Sequence, residues 1–276
     1  MKTGAERYQR FIARKRFKLW FFALLPLVLT TASIALFTSS RFDVMCGAVV
    51  MYLFFVGLIT HGTATDPFHE LRGEKRDGTK RHAIDFVLER LTERGLMPPN
   101  CEVYLDPLHQ TSFAVRTRGF FTLKQAVICG SPYERNAWRH HTTEAILMHE
   151  VGHFSPLWKD AVVSKVAHVM YEARYVIPCS HVGMTLLRSL STHPFPPVHV
   201  LCANALLLIL LAFAKRLYKY SRHASEYLAD SHVVRTLGAD GVEGLATYLL
   251  TFEQTTQETH PRPTDRVNAM RTAIAP

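Results

Sequence analysis

The sequence predicts an α+β protein that is mostly helical, with an N-terminal transmembrane helical hairpin followed by a globular domain that contains a small antiparallel sheet. Three features lead to this prediction. Two uncharged apolar runs lie close together near the N-terminus, three short strand-like segments follow them, and helical spacing of apolar residues dominates elsewhere. At 276 residues with 48% hydrophobic content, the chain is large enough to bury a core.

The charge and the cysteine content argue against some classes of protein. The formal net charge is +9, but most basic residues flank apolar stretches, and no basic run is interleaved with aromatic residues as a base-stacking surface would be. We therefore expect no nucleic-acid partner. The five cysteines form no C-x-x-C pair, which favours free thiols and a reducing compartment.

The predicted hairpin lies near the N-terminus. Residues 1–18 are rich in Lys and Arg and form a basic tail. Residues 19–37 carry no charge and are long enough to cross a bilayer, whereas 44–60 are just long enough. A cleaved signal peptide is the rival interpretation of the first run, but a second run follows almost at once. We therefore predict a transmembrane hairpin over 19–60 and a linker over 61–79.

Basic residues predict the orientation of this hairpin. Its turn holds only Arg41, whereas the tail before it and the segment after it are both positive. The basic residues of that later segment are Arg72, Lys75, Arg76, Lys80 and Arg81. Because positive loops stay on the cytoplasmic side, we expect both ends of the hairpin in the cytoplasm, where the domain over 80–276 begins.

Strand-like segments follow the first helix of this domain. They cover residues 102–105, 111–115 and 126–129, with Asp106-Pro107 as a turn between the first two. We predict a small antiparallel sheet directly before the next helix. An edge strand in this position could hold an extended peptide by backbone pairing, although a purely structural sheet fits the pattern equally well.

His149, Glu150 and His153 form an H-E-x-x-H motif within a segment of good helix formers. One i,i+4 step separates the two histidines, so both imidazoles point off the same face of the helix. In this arrangement the histidines bind zinc and the glutamate acts on the water that the metal holds. A catalytic site of this kind needs a third protein ligand, so the motif alone is a hypothesis.

Residues 221–230 provide candidates for that ligand. Ser221 or Ser225 could cap a helix there, on which Glu226 and Asp230 share one face at i,i+4. We expect Glu226 to bind the metal and Asp230 to accept the free N–H of a ligand histidine. A solvated helix face with two acids is the alternative, but apolar residues surround this pair. The sequence thus predicts one Zn²⁺ per chain.

An insert over about 155–214 separates the two parts of this site. Residues 161–190 are too polar for a comfortable membrane span, and 198–214 are either a short span or a buried helix. The third ligand must lie on the same side of the membrane as the histidines. The insert therefore crosses the membrane an even number of times, either zero or two.

The sequence HEVGH, followed later by SRHASEYLAD, resembles the HtpX-type integral-membrane zinc metallopeptidases. These are gluzincins related to the prenyl-protein (CAAX) proteases. In that family a pattern close to S-R-x-x-E-[YF]-x-A-D follows the zinc helix after a membrane-associated insert, and an N-terminal hairpin precedes it. Two shorter elements also match: Ser112-Phe113-Ala114 looks like a divergent form of an N-A-F-A motif, and Thr259-His260-Pro261 with Arg266 resembles a T-H-P-x-x-x-x-R element.

The resemblance implies a zincin-like metallopeptidase domain at the cytoplasmic face of a bacterial inner membrane, acting on misfolded or membrane proteins. Glu150 would take a proton from water and pass it to the leaving amine. His260 or Arg266 would be a donor to the developing oxyanion, although a structural role near Asp230 is equally open. The segment before the zinc helix implies substrate binding by Phe113 and Ala114.

Three alternatives remain at this point. The chain could be a prenyl-protein processing protease, but that activity is expected to need more membrane spans than this length allows. It could be a membrane zinc protein that binds partners without cleaving them, against which the intact Glu150 argues. A structural or transport protein with a chance motif would need two coincidences, one at the zinc helix and one at Glu226.

Overall fold

The structure, a computed structural model, describes the following residues: 3–37, 82–98, 101–105, 113–118, 125–130, 140–153, 159–160, 163–164, 171, 197–251 and 260–275. The helices are α1 (Gly4–Phe37), α2 (His82–Glu93), α3 (His140–Gly152), α4 (Pro197–Thr251) and α5 (Pro263–Ile274). The strands are β1 (Cys101–Leu105), β2 (Phe113–Arg118) and β3 (Gln125–Gly130).

The chain divides into two compact units. The first comprises Met1–Phe17, Thr65–Val162 and Arg222–Pro276, and the second comprises Lys18–Ala64 and Val163–Ser221. Every candidate metal ligand belongs to the first unit. The sequence-based domain boundaries, at about residues 18, 60 and 79, stay predictions.

The predicted transmembrane hairpin is wrong for the part of the chain that the structure describes. No helix among these residues is both long enough and apolar enough to cross a bilayer. The apolar run that begins at residue 19 does not form a separate element, because α1 begins at Gly4 and joins the basic segment to the apolar run in one helix. The second predicted span, 44–60, lies outside the described residues.

The sheet is mixed, so the prediction of an antiparallel sheet is also wrong. Its strand order is β1-β3-β2, with β3 antiparallel to β2 and parallel to β1. The first two strands do not pair with each other across the predicted turn, because each of them pairs with β3 instead. The predicted Asp106-Pro107 turn lies outside the described residues.

Helix α3 forms the centre of the hydrophobic core. It is buried on nearly all sides, as expected for a helix whose apolar residues are not confined to one stripe. Its buried apolar side chains are Ala145, Ile146, Leu147, Met148 and Val151, and they join a cluster with Val87 and Leu91 of α2, Val242 and Leu245 of α4, and Met270 of α5. This packing fixes the helix that carries the H-E-x-x-H motif.

Helix α4 is continuous from Pro197 to Thr251 apart from a kink at Gly238. A helix start capped by Ser221 or Ser225 was therefore a wrong prediction, since both serines lie inside the helix. At the kink Gly238 has φ 61° and ψ −141°, a conformation that a side chain would strain. Glu226 and Asp230 thus lie on a long, regular helix and not on its first turn.

Helices α3 and α4 approach each other closely at Gly152. A Cβ atom built on this glycine would lie 2.8 Å from the carbonyl oxygen of Ala229 and 2.9 Å from its Cα. Only glycine permits this separation of the two backbones. The contact lies beside the last residue of the motif, His153, and beside Asp230, so it determines how near the two halves of the site come.

Candidate metal centre

His149, His153 and Glu226 come together from two helices. His149 belongs to α3, and His153 directly follows its last residue, with its backbone N–H donating to the carbonyl oxygen of Glu150 at 3.1 Å. Glu226 reaches them from α4. One potential ligand atom from each of the three residues lies within 4.8 Å of the others.

Both imidazoles direct Nε2 toward the carboxylate of Glu226. The Nε2 atom of His149 lies 3.3 Å from Oε2 of Glu226, and Nε2 of His153 lies 3.6 Å from Oε1. The two rings are edge to face, with centroids 4.8 Å apart. The Nε2 atoms are therefore the ring nitrogens available to a shared ion.

Asp230 and Arg266 form hydrogen bonds and ion pairs with this ligand set. Nδ1 of His149 lies 3.0 Å from Oδ1 of Asp230, the contact predicted from the spacing of Glu226 and Asp230. Arg266 on α5 donates to Asp230 through Nε at 2.8 Å and Nη2 at 2.7 Å, and its Nη1 lies 3.2 Å from Glu226. Its guanidinium is thus shared by two buried carboxylates.

His260 and Arg222 reach the same carboxylate from the more open side. Nε2 of His260 lies 3.5 Å from Oε1 of Glu226, and its side chain is 38% exposed. Nη2 of Arg222 lies 3.8 Å from the same oxygen, one helical turn before Glu226. Unlike Arg266, both side chains contact the ligand set and also reach solvent.

The surrounding charges keep the two carboxylates ionised. Burial alone would raise the pKa of Glu226, but the hydrogen bond from His149 and the positive charge of Arg266 outweigh it and hold the pKa well below its usual value. Burial also opposes ionisation of Asp230, and Arg266 again outweighs it and lowers the pKa. For His149, burial is outweighed by hydrogen bonds to Asp230 and Glu226, which raise its pKa to about 9.

Glu150 and His153 respond mainly to burial. Burial raises the pKa of Glu150 to about 7, with the negative charge of Glu226 acting in the same direction. Burial lowers the pKa of His153 to about 3, so this ring is neutral and its nitrogen lone pair is available to a metal. A carboxyl group with a pKa near 7 suits proton transfer at neutral pH.

The donor set fits zinc. Two imidazole nitrogens and one carboxylate oxygen are the ligands found in one class of catalytic zinc site, which leaves a position open for water. A histidine ligand normally donates its second ring N–H to an acceptor, and Asp230 provides that acceptor for His149. These residues would hold a zinc ion.

The predicted substrate-binding residues Phe113 and Ala114 begin β2, an edge strand of the three-stranded sheet. Their Cα partners in β3 are Gly130 and Cys129. Strand β2 contacts α3, the helix of the H-E-x-x-H motif. The neighbouring Ser112 lies outside the described residues.

Two contacts of this site were not expected from the sequence. The hydroxyl of Ser225 lies 3.4 Å from Nδ1 of His153, although the sequence suggested only a helix cap for this serine. Arg222 approaches Glu226, a contact that their i,i+4 spacing allows but that the sequence did not assign to either residue. Neither residue type is distinctive of zinc chemistry, so composition could not reveal them.

Residues 122–274 match the model of peptidase family M48, which covers more than half of the chain. The chain therefore belongs to peptidase family M48, and membership implies a zinc metallopeptidase. No curated protein and no solved structure matches it. The three candidate metal ligands all lie inside the matched range.

Proposed function

We propose that this chain is a zinc endopeptidase of the HtpX type, binding one zinc ion through His149, His153 and Glu226, with Glu150 as the general base. The observation that carries this proposal is the convergence of these three ligands beside the buried carboxyl group of Glu150. A bound zinc ion would lower the pKa of a water molecule and polarise the scissile carbonyl.

Glu150 performs the proton transfers in this mechanism. Its carboxylate takes a proton from the attacking water and, once protonated, gives it to the leaving amine. Burial supports both steps, because a carboxyl group with a pKa of about 7 is a stronger base than an exposed glutamate and remains an acid near neutral pH.

We propose that His260 donates a hydrogen bond to the developing oxyanion. Arg266 has a positioning role instead. The guanidinium of Arg266 is buried and makes short contacts with Asp230 and Glu226, which leaves it poorly placed to meet a substrate. His260 is partly exposed and still within 3.5 Å of Glu226. A partly exposed donor beside the ligands can reach a bound peptide, as oxyanion stabilisation requires.

The position of the edge strand β2 favours a protein or peptide as the substrate. Among the described strands β2 lies at an edge of the sheet, so an extended peptide could pair with it near Phe113 and Ala114, and this strand contacts the helix of the motif. Backbone pairing would accept many sequences, which suits misfolded or membrane proteins as substrates.

We also propose that the chain is anchored at a bacterial inner membrane, with its active site on the cytoplasmic side. Large apolar side chains are exposed on α1 and on the first part of α4, where a membrane could cover them. Phe21, Val28, Leu201, Leu208 and Phe213 are among them. A membrane-anchored protein should stay in the membrane pellet in high salt, and its release would contradict the anchoring.

The experiment that tests the peptidase compares the wild type with Glu150→Gln, both purified in detergent without chelator. Zinc content and cleavage of an unfolded protein are measured on the same samples. We expect about one zinc ion in each protein and cleavage by the wild type only, because glutamine cannot accept the proton. Glu89→Gln, an exposed position on α2, is the matched control and should cleave like the wild type.

Two results would contradict the proposal in different ways. Zinc without cleavage in the wild type would identify a zinc-binding protein that is not a peptidase under these conditions. The absence of zinc from both proteins after remetallation would contradict the ligand assignment itself.

A further inference from the structure

The two histidine ligands differ in the groups that face their second ring nitrogens. Nδ1 of His149 lies 3.0 Å from the carboxylate of Asp230, whereas Nδ1 of His153 lies 3.4 Å from the hydroxyl oxygen of Ser225. Both partners come from α4, one on each side of Glu226 in the sequence. A single stretch of this helix therefore provides a metal ligand and contacts both histidines that bind with it.

The position of Ser225 suits it to orient His153. The residue is buried, and its hydroxyl can accept a hydrogen bond from an Nδ1–H group. A proton on Nδ1 leaves the lone pair of the neutral ring on Nε2, the nitrogen that lies 3.6 Å from Glu226. The serine contact and the metal-facing side of the ring therefore favour the same tautomer.

The location of His153 increases the need for such a contact. His149 lies within α3, whereas His153 directly follows Gly152, the last residue of that helix. Its backbone is tied to α3 through the hydrogen bond to Glu150, but this bond does not fix the rotation of the ring. A hydrogen bond to Nδ1 restricts that rotation directly.

We propose that Ser225 is a positioning residue of the metal centre: its hydroxyl accepts a hydrogen bond from Nδ1–H of His153 and presents Nε2 of that ring to the zinc ion. This inference rests on the proposed ligand set but does not depend on peptide cleavage. Asp230 performs the corresponding task for His149 with a charged acceptor. The serine provides the weaker, neutral form of the same support.

The test measures the zinc dissociation constant of the full-length protein by competition with a chromogenic chelator. Ser225→Ala should raise this constant by about tenfold or more, the usual effect of removing such a partner. Ser225→Thr keeps the hydroxyl and should restore most of the affinity. Cobalt(II) bound in place of zinc gives a second readout, because Ser225→Ala should shift its visible absorption bands if the ligand ring turns.

Ser231→Ala is the matched control. Ser231 is also buried on α4, but its hydroxyl donates to the carbonyl oxygen of Leu228 at 2.7 Å. This variant should leave zinc affinity and the cobalt spectrum unchanged.

A dissociation constant for Ser225→Ala within about twofold of the wild type would overturn the proposal. So would an equal loss of affinity in both alanine variants. A wild type that binds zinc tightly without cleaving substrate would contradict the peptidase and leave the serine test intact.

Discussion

At the scale of single residues, the centre is an arrangement of charges that compensate one another inside the protein. Arg266 lies between Asp230 and Glu226, and all three side chains are buried. Burying a charge without a partner costs free energy of folding. Each of these three charged side chains is therefore tolerated in the interior only because the others are present. The ligand Glu226 is therefore held in its charged form before any metal binds.

Replacing Arg266 tests this compensation. Arg266→Met should lower the free energy of unfolding of the metal-free protein by about 3–5 kcal/mol, because it leaves two buried carboxylates without their cation. Urea unfolding measures this change. Arg271→Met is the control on the same helix, since Arg271 pairs with Glu243 at the surface, where solvent screens the charges. Similar losses in the two variants would contradict the assigned role of Arg266.

The raised pKa of His149 predicts how zinc affinity depends on pH. Below its pKa of about 9 the metal-free ring carries a proton that zinc must displace. Apparent affinity should therefore rise with pH by about tenfold per unit for one displaced proton, and it should level off near pH 9. His153, with a pKa of about 3, adds no pH dependence to the zinc affinity in this range.

Chelator competition between pH 6 and 9 measures this slope. Asp230→Asn provides the comparison, because it removes the negative charge and acceptor that raise the pKa of His149. The zinc affinity of this variant should stop rising with pH at a lower pH than the affinity of the wild type does. A flat wild-type profile above pH 7 would show that His149 is already neutral there.

At the scale of secondary-structure elements, α3 and α4 meet at two glycines. The close contact at Gly152 has a counterpart at Gly244, where an added Cβ would lie 2.7 Å from the carbonyl oxygen of His141. Both contacts involve backbone atoms, which cannot rotate away as a side chain can. The two glycines therefore control the separation of these helices, one beside the metal ligands and the other near the start of α3.

Alanine at each glycine should have related but distinguishable effects. Gly152→Ala and Gly244→Ala should each lower the free energy of unfolding by about 1–3 kcal/mol, because the helices must move apart. Only Gly152→Ala should also weaken zinc binding, since it separates the H-E-x-x-H motif from Glu226. Thermal unfolding and chelator competition on both variants measure the two effects. Unchanged zinc affinity in Gly152→Ala would contradict this account.

The secondary-structure elements differ in how far the sequence could predict them. The spacing of His149, His153, Glu226 and Asp230 follows from helical geometry, which is local, and the structure brings these side chains together. The pairing of β1 with β3 depends on residues far apart in sequence, and no local pattern distinguishes it from a hairpin with β2. Ser221 and Ser225 are good caps in isolation, but the helix that precedes them continues through both.

At the scale of the whole molecule, the N-terminal segment belongs to the same compact unit as the metal centre, although it lies outside the range that the family model matches. The ring of Phe11 meets that of Tyr227 edge on at 5.1 Å, and Nζ of Lys15 lies 3.9 Å above the Tyr227 ring. Tyr227 directly follows the ligand Glu226. The basic segment at the N-terminus thus packs against the helix that carries the ligand.

Packing at Ile12 provides the test of this arrangement. Ile12 is 6% exposed, whereas Phe17, on the same helix of the same unit, is 69% exposed. Ile12→Ala should lower the free energy of unfolding by about 2–5 kcal/mol, because it leaves a cavity, and Phe17→Ala should change it by less than about 0.5 kcal/mol. Thermal unfolding of the two full-length variants compares them. If Ile12→Ala were as stable as Phe17→Ala, the N-terminal segment would not be part of the folded unit. A loss of stability in Ile12→Ala alone would mean that the peptidase unit extends beyond the range matched by the family model, to the start of α1.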